Sequence, residues 1–250
     1  MPTPFTHLEV AQRLLKDAHI PHAYRDFLMS HTGAFLLGNI AADARVGSGM
    51  PREHTHFYHH RMPILESPAT VMLDRNPELL RPHSPEQRAF VAGYVAHLSI
   101  DEYWAIHMLA THFVGKNWGI RSPQFKHYML HIILIVMDER DYARLEKWQY
   151  DQLVSAKPKG WVSFISDNDL ISWQNLIAEQ IHPQGTSKTL DVLGKRVIKT
   201  PEEMRQLLDN ELKMQDSLWQ YIPKQVLADV EVGMYDHART MMLNYLNQTG

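Results

Sequence analysis

One stretch, Ala96-His97-Leu98-Ser99-Ile100-Asp101-Glu102-Tyr103-Trp104, constrains the fold more than any other. On a helix Phe90, Tyr94, His97, Asp101 and Trp104 form one stripe, apolar except for His97 and Asp101. That places a carboxylate on a core-facing surface. A buried, unpaired carboxylate is very costly, so the fold must bring it a cation or strong hydrogen-bond donors. A metal ion would meet this need. A plain His–Asp hydrogen bond would also meet it.

The supply of further ligands is large. Fourteen of the 16 His lie between His7 and His131. The chain has no Cys, so disulfides and thiolate metal sites are excluded, and any zinc must be held by imidazole and carboxylate. In KHYMLHIILIVMDE, His127 and His131 are one helical turn apart, a standard zinc chelate, and Asp138 lies two turns on. In REHTHFYHH, His54 and His56 alternate, so an extended backbone would point them the same way; His59 and His60 follow as residues of an exposed loop. His7 sits at the start of the first helix, and Asp43 closes GNIAAD where the chain leaves a helix. Zinc takes roughly four ligands per site, so this many candidates implies two or three ions.

Helix starts are marked repeatedly. Ser84-Pro85-Glu86-Gln87 and Thr200-Pro201-Glu202-Glu203 combine an N-cap hydroxyl, an N1 proline and a Glu or Gln at the third position. Ser122-Pro123 is a shorter version, and Thr6 with Glu9 matches a capping box. Helices are expected near residues 5–17, 22–37, 85–112, 123–150, 168–181, 201–220 and 223–247. Residues 43–83 and 183–200 read as long loops, with a small hairpin within 185–199. Strand signals are sparse, so the expected class is all-α. The expected organisation is a helical metal-binding core over 1–150 and a C-terminal helical extension over 151–250, packed together as one domain.

With 250 residues, 44% of them hydrophobic, the chain can bury a substantial core. Its formal charge of -3 speaks against a stable nucleic-acid partner. The first residues lack a basic start and an unbroken apolar run, and no segment is long enough to span a bilayer, so a cytoplasmic location is expected. Leu207, Leu208, Leu212 and Trp219 are core or interface residues, so the C-terminal helices can also support an oligomer.

The order His7, GNIAAD with Asp43, THF with His56, His97-x3-Asp101-x5-His107 and a later His pair resembles the bacterial zinc-dependent phospholipase C family over about residues 1–150. Single-strand-specific zinc nucleases are its distant relatives. The resemblance implies an all-α enzyme with a multinuclear zinc centre that hydrolyses phosphate esters. It implies that Asp43, His56, His97 and Asp101 surround one zinc, with Asp101 bridging toward another. His107, His127 and His131 would hold a second zinc, and His7 would help to hold a third. Asp43 would be the general base. His54, His112 and Asp138 remain alternatives for a ligand position. The expected substrate is a small phosphodiester or a phospholipid headgroup. The competing expectations are a non-catalytic zinc-binding helical protein and a single-strand nuclease-like enzyme.

Overall fold

The structure is a computed structural model describing residues 1–59 and 62–250, so His60 lies outside the described residues. Among the described residues the regular elements are helical. They run α1 Pro4–Lys16, α2 His22–Ser30, α3 Thr32–Ala41, α4 Arg45–Ser48, α5 Arg52–His56, α6 Pro68–Arg75 and α7 Pro85–Trp104. They continue as α8 Pro123–Tyr142, α9 Trp148–Ser155, α10 Asp167–Ile181, α11 Thr189–Arg196, α12 Pro201–Leu208, α13 Glu211–Met214 and α14 Lys224–Gln248. The fold is all-α. Among the described residues no helix is long and apolar enough to cross a membrane.

The caps behave as their chemistry requires. The Ser84, Ser122 and Thr200 hydroxyls accept from the backbone N–H groups of Gln87, Phe125 and Glu203. At Thr200 the Glu203 carboxylate returns the bond, completing a capping box. Thr6 does not cap. Helix α1 already starts at Pro4, and the Thr6 hydroxyl donates to Asp141 Oδ2 at 2.8 Å, fixing α1 against α8.

Several boundaries differ from expectation for local reasons. Residues 22–37 are not one helix, because the chain breaks at His31 between α2 and α3. Helix α8 ends at Tyr142 and α9 begins separately at Trp148. After Trp104 the chain continues as wider π-helical turns over Ala105–Val114, closed by Gly115 N–H to the Ala110 carbonyl at 2.7 Å. The long loop 43–83 contains α4, α5 and α6, which are too short to show a periodic pattern. The expected hairpin within 185–199 is replaced by α11.

Helix α7 is the axis of the molecule. From Ala89 to Glu102 every residue is buried, and α3 is buried along its whole length. Helices apolar on all sides belong inside a protein rather than at its surface. The two cross at a backbone contact built from glycine. A Cβ on Gly38 would lie 2.0 Å from the Phe90 carbonyl oxygen, and one on Gly93 would lie 2.3 Å from the Phe35 carbonyl oxygen. Only glycine permits that approach. Helix α14 covers another side of α7, with Gly233 against the Tyr103 ring. Arg140 of α8 grips Glu231 of α14 with two bonds of 2.8 and 2.6 Å, a bidentate geometry.

Candidate metal centre

The α3–α7 contact sets the first ligand. With the backbones touching, the Asn39 carbonyl meets His97 Nδ1 at 2.7 Å. A carbonyl only accepts, so Nδ1 carries the proton and the Nε2 lone pair faces away from α3. Thr55 acts similarly on His56. Its hydroxyl donates to the Arg52 carbonyl at 3.4 Å, and its oxygen meets His56 Nδ1 at 2.9 Å. Helix α5 is pinned to α7 by Tyr94, whose hydroxyl donates to the Thr55 carbonyl at 2.8 Å. The helix stops abruptly after His56. Phe57 adopts the left-handed region at φ 59°, uncommon for a bulky residue, with its ring edge-on to Phe164 at 5.0 Å.

Five side chains converge from four places. His7 of α1 places Nε2 3.4 Å from Asp101 Oδ1, and its ring stacks on that of His97 with centroids 3.8 Å apart. His56 Nε2 is 3.5 Å from Asp101 Oδ2 and 3.5 Å from Asp43 Oδ1. His97 Nε2 is 3.8 Å from Asp101 Oδ2. Asp43 lies just beyond α3, in a short turn over Ala42–Ala44.

These atoms are short of partners. Both ring nitrogens of His7, Nε2 of His56 and of His97, and Oδ1 of Asp101 are buried without a hydrogen bond. Such groups normally find partners in a folded protein. Donors about 2.0–2.1 Å from one tetrahedral zinc lie roughly 3.4 Å apart, close to the spacings seen here. His7, His97 and Asp101 form one group with metal-binding geometry, and Asp43, His56 and His97 form another. The donor set fits a divalent cation of the zinc type.

Protonation favours the same conclusion. Burial, reinforced by His7 nearby, pushes His97 down to about 3, so its imidazole is neutral at ordinary pH. Burial also lowers His56. Burial alone would raise Asp43 and Asp101, but neighbouring imidazoles and Arg52 hold both below the usual carboxylate range. Neutral imidazoles and ionised carboxylates are the forms that bind metal.

Arg52 is not among the candidates drawn from the sequence. Its Nη2 donates to Asp101 Oδ2 at 2.5 Å and approaches the Tyr58 hydroxyl at 3.3 Å, and its Nη1 lies 3.9 Å from Asp43 Oδ1. The available signal is Pro51, which starts a helix and so sets Arg52 and His56 one turn apart.

The remaining candidates lie elsewhere. His107 sits on the π-helical turns, exposed and stacked on Tyr103 at 4.0 Å. Ten residues beyond His97 and six beyond Asp101, it does not share their helical face. His127 is exposed on α8. His131 is buried beside it, with Nδ1 donating to the His127 carbonyl at 2.9 Å. Neither belongs to a metal-binding group among the described residues. His54 is exposed because the segment is helical, so residues two apart point to different sides. His112 stays on the π-helical turns, where its carbonyl accepts from the Trp118 indole. Asp138 is buried on α8 and accepts from Ser187 at 3.2 Å.

Comparison with protein families decides the lineage. The family model for zinc-dependent phospholipase C matches residues 6–170. The chain belongs to the zinc-dependent phospholipase C family. The matched span contains all five converging residues. No curated protein and no solved structure matches the chain.

Proposed function

We propose that this protein is a zinc-dependent hydrolase of phosphate esters, a phospholipase C-like phosphodiesterase. The observation that carries the reading is the convergence of five donor residues, four of which, His7, His56, His97 and Asp101, carry buried atoms that lack hydrogen-bond partners. His7, Asp43, His56, His97 and Asp101 would hold the metal. Asp101 offers its two oxygens to different neighbours, Oδ1 to His7 and Oδ2 to His56 and His97, which supports a bridging role and more than one ion. When bound, zinc supplies Lewis acidity toward a phosphoryl oxygen and lowers the pKa of a coordinated water.

The chain's own groups supply the rest. Asp43 is 18% exposed where Asp101 is 1% exposed, so it is the carboxylate of the centre that solvent reaches. Ionised and fixed at the rim, it orients a water and accepts its hydrogen bond. Arg52 places a permanent positive charge between Asp43 and Asp101, where it can also meet a phosphate oxygen. Asn39 and Thr55 hold the rings of His97 and His56 in the ligand tautomer.

The test has two parts. Protein purified without added metal is analysed for zinc, manganese and iron, then assayed on a chromogenic phosphodiester. At least one equivalent of metal and turnover that His97→Ala abolishes, with helicity unchanged, are expected. All three metals well below one equivalent would sink the proposal. Bound metal without turnover would instead mark a non-catalytic zinc-binding protein.

A further inference from the structure

A cavity of about 240 Å³ opens beside Asp43 and Arg52. Its far wall comes from α10 and α11, with Trp173, Leu176, Ile177, Val192 and Leu193. All five lie beyond residue 170, outside the span that matches the family. The wall is fixed in place, since the Trp173 indole donates to the Ile40 carbonyl at 2.8 Å.

The charge of this cavity is one-sided. Arg45, Arg52, Lys188 and Arg196 line it, and Asp43 is the single carboxylate among the lining residues. Arg52 is matched by Asp101, and Lys188 by Glu179 at 3.3 Å. Among the described residues no carboxylate lies within ion-pair distance of Arg45 or Arg196. Among the described residues the Arg45 guanidinium bonds through Nη1, to the Met50 carbonyl at 3.3 Å, and its Nε is buried without a partner. The Nε of Arg52 is likewise buried and unpartnered. Guanidinium groups held near one another without counter-charge lower their mutual repulsion when an anion enters.

We propose that this cavity receives one arm of the phosphate ester and selects an arm that carries a negative charge of its own, a carboxylate or a second phosphate. The proposal rests on the metal-centre reading, because Asp43 and Arg52 border both the centre and the cavity. Arg45 and Arg196 would meet the anionic end, and the apolar wall would cover the short carbon chain between the two charges. A quaternary ammonium arm would face two guanidinium groups outside any ion pair among the described residues, with Asp43 as the single lining carboxylate, which discriminates against it. The volume is below that of pockets for drug-sized ligands, so it suits a small arm rather than a pair of acyl chains.

The experiment compares two phosphate monoesters of similar size and opposite arm charge, 3-phosphoglycerate and phosphocholine. Binding is measured by calorimetry on the full chain, zinc-loaded and zinc-free, with zinc content determined on the same samples. The parent is expected to bind 3-phosphoglycerate about tenfold tighter or better. Arg45→Glu and Arg196→Glu should each remove most of that preference, and Arg196→Lys should retain part of it. Arg196 is exposed, so its variants test the idea without threatening the fold.

Equal binding of the two probes, tighter binding of phosphocholine, no binding of either, or a preference indifferent to both charge reversals would each overturn the proposal. The two readings fail separately. A protein that takes up no zinc yet prefers 3-phosphoglycerate through Arg196 refutes the metal centre and keeps the cavity assignment. A zinc-loaded protein that cleaves a chromogenic diester without discriminating between arms does the reverse.

Discussion

Helices α7 and α8 each carry a pair of ligand-type residues four apart, with opposite outcomes. On α7, His97 and Asp101 face His7, His56 and Asp43, and His97 Nε2 has no hydrogen-bond partner. On α8, His127 is exposed, and His131 spends Nδ1 on the carbonyl of its own helix. The carboxylates differ in the same way. Arg52 and the imidazoles hold Asp101 below the usual range. Burial pushes Asp138 up to about 6, against the pull of the Thr3, Thr189 and Ser187 hydroxyls. Spacing within one helix therefore creates a half-site. What stands opposite decides whether it becomes a centre.

The sharpest way to break this contrast is to remove the shared carboxylate. Asp101→Asn should abolish zinc retention and lower phosphodiesterase turnover by more than about 100-fold. It should also destabilise the zinc-free protein by about 3–5 kcal/mol, because Arg52 loses its buried partner. Zinc analysis and urea unfolding check both. A variant that keeps its metal would show that the contrast misplaces the centre.

The second test uses pH on α8. The folded pKa of Asp138 lies above the unfolded value, so the folded state binds the proton more tightly. Below about pH 3.8 both states are protonated and the group contributes nothing. As pH rises toward about 6, its contribution becomes a loss of stability, which stays constant above that range. Asp138→Asn lacks this loss, so relative to the parent it should gain about 2–3 kcal/mol between pH 3.5 and pH 8. A difference that does not change with pH, measured by urea unfolding, would count against it.

Smaller effects follow. Gly38→Ala should cost about 1–3 kcal/mol by forcing α3 off α7, and should weaken zinc retention by shifting Asn39 from His97. Full stability in a melt would refute the close crossing. The least effect is expected for His127→Ala. Its side chain is exposed, so stability should change by no more than about 0.5 kcal/mol, with zinc content unchanged.

Much of this contrast is legible in the amino-acid sequence alone, and the gaps have physical causes. Ser84, Ser122 and Thr200 mark helix starts because capping chemistry is local. The stripe from Phe90 to Trp104 foretells a buried Asp101 because helical periodicity is local too. The turn at His31, the π-helical winding after Trp104 and the helicity of Arg52–His56 depend on packing partners. For that reason His54 and His56 read as neighbours on one side of an extended loop, although the fold parts them. Arg52 escapes notice because its spacing to His56 has meaning only once Pro51 is taken as a helix start, and a five-residue helix shows no periodic pattern. Arg45 and Arg196 are 151 residues apart in the chain, and only the fold puts them around one cavity.

At the Gly38–Gly93 crossing main chain meets main chain, and no side chain separates the two helices. The gauge of the crossing is thus a van der Waals radius, not a choice of residue. Substitutions that drift through the surrounding interior can swell or shrink other layers without resetting the position of His97 relative to α3. The centre should accordingly tolerate divergence in its apolar surroundings far better than at these two positions.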